Sequence, residues 1–285
     1  RSHSSRQGSR GLVLTRALKL RIVIFLLGGE MNYQHVIYQK RDHVGYITLN
    51  RPEALNAYNV QMMHELADVW RSFGADSEMR VAVITGMGRG FCAGLDMKES
   101  AAGIRGVAET IPFTPRRSGV FKPVICAVNG LCVGGGFHLV LDSDITICSD
   151  QAIFFDAHVT VGAVSHREII GLSRRIGYTN ALRIGLMGGQ ERLSAQRAYE
   201  LGIVTEVIPH EKLLTHSGEL AKKINLNAPL ALEGTVKSMW RSLNLGLEDA
   251  LKLSSEIADK NFATEDYREG PRAFSEKRKP QWKGC

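Results

Sequence analysis

The chain of 285 residues is 44% hydrophobic, enough to bury a sizeable core, and carries 36 Lys and Arg against 29 Asp and Glu for a formal net charge of +7. Six of those basic residues and a single acid fall in residues 1–30, leaving 30 against 28 elsewhere, a balance that excludes a broad nucleic-acid surface on the folded body. The five cysteines, Cys92, Cys126, Cys132, Cys148 and Cys285, are scattered without CxxC spacing and read as reduced thiols in a non-secreted protein.

Residues 1–30 open with RSHSSRQGSR, an Arg/Ser/Gly-rich composition expected to form a disordered or non-native extension. The apolar stretch Leu20–Leu27 contains Arg21 and falls short of the roughly 18 apolar residues that a membrane span needs. Two readings of the segment stay open. An acid-poor transit peptide implies the mitochondrial matrix, whereas a translation start placed upstream of Met31 leaves a cytoplasmic protein.

From Met31 the pattern predicts strands at His35–Gln39 and Gly45–Leu49, a helix at Asn59–Phe73, strands at Val81–Thr85 and Pro123–Asn129, a helix at Gly135–Leu141 and a strand at Ile145–Cys148. In the first helix Val60, Met63, Leu66, Ala67, Trp70 and Phe73 recur at helical spacing, with Asn59 as cap and Gly74 as stop, an ordinary core stripe. After Ile169 helices are expected at Asn180–Leu186, Ala195–Leu201, Leu213–Ile224, Leu230–Leu243 and Leu247–Ala258, with Thr179 and Ser194 as caps. The class is α/β, with a core over residues 31–190 and a helical region over 191–285.

Two glycine-rich turns carry the chemistry. Gly134-Gly135-Gly136 follows an apolar strand and precedes a helix start, and Gly86–Lys98 follows the strand VAVIT in the same way. Such turns expose backbone N–H groups to a close ligand. Neither the Gly-Lys-Ser/Thr ending of a phosphate loop nor GxGxxG spacing is present, so an oxyanion hole is the better reading than a nucleotide cradle. A tight turn with no ligand would have the same sequence.

RPEALNA (Arg51–Ala57), GRGFCAGLDMKE (Gly88–Glu99), KPVICAVNGLCVGGG (Lys122–Gly136) and FATEDYREGPRAFSEKRKPQW (Phe262–Trp282) together resemble the crotonase superfamily, the enoyl-CoA hydratase/isomerase family, from about Tyr33 to Trp282. The resemblance implies a coiled ββα spiral with a C-terminal helical region that builds trimers, often paired into hexamers. It also implies that the N–H groups of Leu95 and Gly135 form the oxyanion hole. Coenzyme A would lie near Ala54, Asp96, Met97, Lys98 and Lys279, although the basic run around Lys279 also reads as a solvated helix end. No metal and no cofactor beyond the coenzyme A of the substrate is implied.

The departure from the family lies in its two catalytic glutamates, one two residues after the triple glycine and the other twenty residues later. His138 and His158 stand at those positions, and His166 falls where the family has a pocket loop. A histidine beside a core helix is often a hydrogen-bonded structural residue. His138 and Asp142 at i, i+4, with Asp156 and His158, are also spaced for a metal. Their placement on the family's catalytic positions favours acid/base work, with His166 as a third pocket residue.

These residues lead to an enoyl-CoA hydratase-like lyase acting on an acyl-CoA thioester through a stabilised enolate. Two alternatives stand beside it. One is a CoA-linked carbon–carbon hydrolase of the retro-Claisen type, an analogy weakened because the pocket acid of the superfamily's diketone hydrolases has no counterpart beyond Glu168 next to Arg167. The other is a catalytically silent acyl-CoA-binding homologue. The expected partners are acyl-CoA and further copies of the chain, as a homotrimer or dimer of trimers, with no nucleic acid and no membrane. The segment Ala101–Arg117, which should cover the acyl pocket, has no informative pattern.

Overall fold

Short apolar runs without polar alternation become strands buried on both faces, the condition of a parallel sheet covered by helices. The computed structural model describes residues 33–101 and 110–285, so the extension expected over 1–30 lies outside the described residues, as does 102–109 of the acyl-pocket segment. Strands β1 (Val36–Arg41), β2 (Val44–Leu49), β3 (Val81–Gly86), β5 (Val124–Val128), β7 (Ile145–Ser149) and β10 (Glu206–Ile208) form a six-stranded sheet in the order β1-β2-β3-β5-β7-β10. Only the β1/β2 pair is antiparallel. Every residue of β3 and β5 is buried.

A second sheet, in the order β4-β6-β8-β9, consists of β4 (Gly90–Cys92), β6 (Leu131–Val133), β8 (Ile153–Phe155) and β9 (Leu193–Ser194). Each strand of β3, β5 and β7 is followed at once by its counterpart β4, β6 or β8 in the second sheet. Helix α2 (Met97–Ala101) follows β4, and α3 (Phe137–Leu141) follows β6. This repeated strand, strand, helix path is the expected spiral. The second sheet had no counterpart in the sequence reading because its strands are only two or three residues long. Nothing periodic can be read from so few positions.

One face of the large sheet packs Val44, Val81, Val83, Ile125, Ala127 and Ile147 against Leu213 and Ala221 of α7 (Leu213–Ile224). Helix α1 (Val60–Ala75) buries Met62, Met63, Leu66, Val69, Trp70 and Phe73. Asn59 caps it by accepting from the Met62 N–H at 2.8 Å, and Glu99 accepts from the Val60 N–H at 2.8 Å. Gly74 does not end this helix, which closes at Asp76, and Thr179 does not cap α5 (Tyr178–Met187), which follows Gly177. Ser194 does cap α6 (Ala195–Leu201).

The region expected to be helical from 191 onward also holds β9 and β10, and β10 pairs in parallel with β7. Before it lies α4 (Arg167–Ile176). The chain then ends in α8 (Pro229–Ser242), α9 (Leu247–Phe262) and α10 (Glu265–Ser275). Helix α4 rests on α3. Arg175 of α4 donates to the Leu141 and Ser143 carbonyls, each at 2.8 Å, and so satisfies the end of α3.

Candidate active site

The glycine turn after β3 is held by two buried asparagines. Asn56, from RPEALNA, donates to the Met87 and Gly90 carbonyls at 2.9 and 2.8 Å. Asn129, which follows β5, donates to the Gly88 carbonyl at 2.8 Å and accepts from the Gly86 N–H at 3.0 Å. Arg51 donates to the Ala57 carbonyl at 2.7 Å and to Asp96 Oδ2 at 3.1 Å, tying the same motif to the residue after Leu95. Burial alone would raise the Asp96 carboxyl, but Arg51 and the Lys98 N–H hold it below the usual carboxylate value.

Leu95 and Gly135 are brought face to face by this bracing. Gly94 and Gly134, immediately before them, have φ of +88° and +47°, a backbone that favours glycine. The ideal Cβ position on Gly135 lies 3.5 Å from the Leu95 N, so the two donors flank one small space. Neither N–H donates to another group among the described residues. The turn differs from the expected helix over Gly135–Leu141: Gly134–Gly136 form one 3-10 turn, and α3 contains only five residues. A helix of five residues brings little dipole to the turn.

Leu95, Gly135, His138, His158 and His166 line one cavity, together with Tyr58, Met63, Phe113, Arg117, Arg167 and Glu168. The sequence reading thus brought its five pocket residues to one place. Ala54, Asp96, Met97, Lys98 and Lys279 do not line this cavity. Ala54 ends a 3-10 turn, Met97 and Lys98 are exposed at the start of α2, and Lys279 is exposed after α10.

Glu168 is the residue that sequence reasoning undervalued. It sits in the first turn of α4, its side chain is 3% exposed, and Oε1 lies 2.5 Å from His138 Nε2 and 3.9 Å from His158 Nε2. The His138 contact is close but not aligned as a hydrogen bond, and both His138 Nε2 and Glu168 Oε2 are buried with no aligned partner among the described residues. Burial raises the Glu168 carboxyl, but His138, helped by the helix-start N–H and His158, outweighs it and brings the group down to about 2. Glu168 thus brings a carboxylate, from a different helix, to the cavity lined by His138 and His158.

Asp156 fixes His158. It is fully buried, its Oδ1 lies 2.5 Å from His158 Nδ1 and accepts from the His158 backbone N–H at 3.0 Å, and Ser165 donates to Oδ2. An acceptor at Nδ1 favours a proton on that nitrogen and holds the ring in the cavity wall. The spacing Asp156-x-His158 was the signal available in the sequence. Asp142 instead accepts from Thr114 and does not line the cavity.

The depressed Glu168 carboxyl has a consequence for stability. Its folded value, about 2, lies below the ordinary 4.5, so its stabilisation is present above about pH 4.5 and fades as pH falls through about 2. Denaturant unfolding of Glu168→Gln between about pH 2 and 5 should show a flatter acid limb than the native protein; equal slopes would contradict the lowered Glu168 carboxyl.

The enoyl-CoA hydratase/isomerase family profile matches residues 39–285. The chain is 37% identical over 253 residues to the mevalonyl-coenzyme A hydratase of Aspergillus fumigatus, covering 85% of this chain and 92% of that protein. It is 34% identical over 257 residues to the (E)-benzylidenesuccinyl-CoA hydratase of Thauera aromatica, covering 88% and 99%. The crystal structure of an enoyl-CoA hydratase/isomerase from Mycobacterium paratuberculosis superimposes with a TM-score of 0.83 at 41% identity, covering 89% of this chain and all of that one.

Proposed function

The chain belongs to the enoyl-CoA hydratase/isomerase family and is an enoyl-CoA hydratase-like enzyme acting on acyl-CoA, and from that premise we propose that Glu168, His138 and His158 replace the family's glutamate pair in adding water to the double bond. The observation that carries this reading is the buried, ionised Glu168 with one oxygen against His138 and the other without an aligned partner among the described residues, in the cavity that Leu95 and Gly135 also line.

The thioester carbonyl oxygen accepts from the Leu95 and Gly135 N–H groups. Water held between Glu168 and His158 Nε2 attacks the β-carbon as its proton passes to His158. The electron pair of the double bond moves to the carbonyl oxygen, where the two backbone donors stabilise the enolate. A proton from His138 then reaches the α-carbon as the enolate collapses. Glu168, close to both Nε2 atoms, returns the proton from His158 to His138. The sum is one water added and both histidines restored.

Several relatives are named as hydratases of CoA thioesters, and the reaction proposed here uses no cofactor beyond the coenzyme A of the substrate. Exposed Met239, Leu247, Leu251 and Phe274 on α8 to α10 support the homotrimer or dimer of trimers. No helix among the described residues is long and apolar enough to cross a membrane. A cytoplasmic or mitochondrial-matrix setting remains part of the proposal.

Incubation with crotonyl-CoA should give a product one water heavier, with fragmentation placing the hydroxyl on the β-carbon. Unchanged crotonyl-CoA would sink the assignment for short chains. A second reading gains from Glu168, because the pocket acid that carbon–carbon hydrolysis requires is present after all. Ring opening of a β-keto cyclic acyl-CoA, with the new oxygen in a carboxylate, would favour that reading over hydration.

A further inference from the structure

We infer that Thr114 and Asp142 are positioning residues for His138: their hydrogen bond latches the wall residue Phe113 to the helical turn that carries the imidazole, and so keeps that imidazole against Glu168. This rests on the reading of His138 as the group that protonates the α-carbon and adds what holds it in place. Asp142 is the acid that the sequence spaces for a metal with His138. Its backbone N–H donates to the His138 carbonyl at 3.1 Å, so the two residues share one turn at the end of α3. Its carboxylate Oδ2 accepts from the Thr114 hydroxyl, on the loop that brings Phe113 to the cavity.

The Glu168 contact does not by itself orient His138. Glu168 Oε1 lies 2.5 Å from Nε2 without hydrogen-bond alignment, and an imidazole turns about two side-chain bonds, so one unaligned contact leaves its direction open. A second wall is required, and Phe113 supplies it. The Phe113 ring lies 5.9 Å from the imidazole, tilted by 36°, and is backed by the Tyr58 ring at 4.9 Å.

Phe113 lies in neither helix nor strand, so its place depends on the anchors around it. Its carbonyl accepts from Nε1 of the fully buried Trp70 of α1 at 3.0 Å. Ser118 donates back to the Pro112 carbonyl, and Arg116 donates to Asp144 and, at 2.5 Å, to the Val120 carbonyl. Asp144 in turn accepts from the Val124 N–H at 2.8 Å, so the Arg116 anchor ties the loop to the start of β5. The fully buried Thr114 is the anchor next to Phe113, and it runs to the turn of His138. Imidazole and ring are thereby fixed to one frame, the support that an acid/base group needs from the residues behind it.

The test compares Thr114→Val, which removes the hydroxyl, with Thr114→Ser, which keeps it. With crotonyl-CoA, Thr114→Val should lower kcat about ten- to hundredfold while the affinity for the saturated butyryl-CoA moves less than about twofold, and Thr114→Ser should retain most of kcat. Phe113→Leu should cause a similar fall, and adding Thr114→Val to it should cost little more, because both break one connection. The His138 Cε1–H resonance, in protein labelled at histidine Cε1 and assigned by its loss in His138→Gln, should move in Thr114→Val and stay near its native position in Thr114→Ser. Native kcat with an unmoved resonance in folded Thr114→Val, equal losses in the Val and Ser variants, or additive losses with Phe113→Leu would overturn the proposal. If Thr114→Val does not fold, Asp142→Asn, which keeps an acceptor for Thr114, should lose less kcat than Asp142→Ala, and equal losses would overturn it. The resonance is read without turnover, so it decides the latch even if crotonyl-CoA is not hydrated, and an unmoved resonance leaves the hydratase reading intact.

Discussion

Replacing His158 with alanine is expected to lower kcat by roughly 10²–10⁴-fold, with a much smaller change in the affinity for a saturated acyl-CoA. On the proposed mechanism His158, which lines the cavity and is held at Nδ1 by Asp156, accepts the water proton, so its loss removes that acceptor and leaves the Leu95 and Gly135 N–H groups in place. Its removal also leaves Asp156 Oδ1 with only the backbone N–H of residue 158, while Ser165 still satisfies Oδ2. Steady-state kinetics beside a binding titration separate the two effects. A variant with native kcat would remove His158 from the chemistry.

Gly135→Ala is expected to reduce kcat/KM by roughly 10²–10³-fold, comparable to losing one oxyanion donor, because its methyl group hinders access to an N–H that stays in place. A methyl group there would stand 3.5 Å from the Leu95 N and 3.4 Å from Gly94 Cα, ordinary packing distances that the fold accommodates. It would nevertheless crowd the space between the two N–H groups, where the proposed mechanism seats the carbonyl oxygen. Unfolding midpoint and circular dichroism should match the native protein while turnover collapses. Retained turnover in the folded variant would place the oxyanion elsewhere, and Gly135→Pro, which deletes the N–H itself, would then also be active.

The parts of the site that could be read from sequence were those whose backbone geometry demands particular residues. Gly94 and Gly134 occupy positive φ, and Asn56 and Asn129 close the turn beside them, so the motifs around Leu95 and Gly135 are visible as strings. His138 and His158 stood out by position against the family's glutamates. Glu168 did not. Its meeting with His138 depends on how α4 lies across α3, a tertiary fact with no short-range spacing to announce it. The large sheet was legible because β3, β5 and β7 are five- and six-residue apolar runs, whereas β10 was hidden by its three residues between helices.

The anchoring of α4 by Arg175 bears on how variants of this protein should be interpreted. Arg175 does not line the cavity, yet it fixes the end of the helix that carries His138 to the helix that carries Glu168. A survey ranking substitutions by distance from the reactants would score Arg175 as peripheral. Its loss would strand two carbonyls and free one half of the acid/base pair from the other, so an inactive, partly destabilised Arg175 variant would be a lesion of assembly mistaken for one of chemistry.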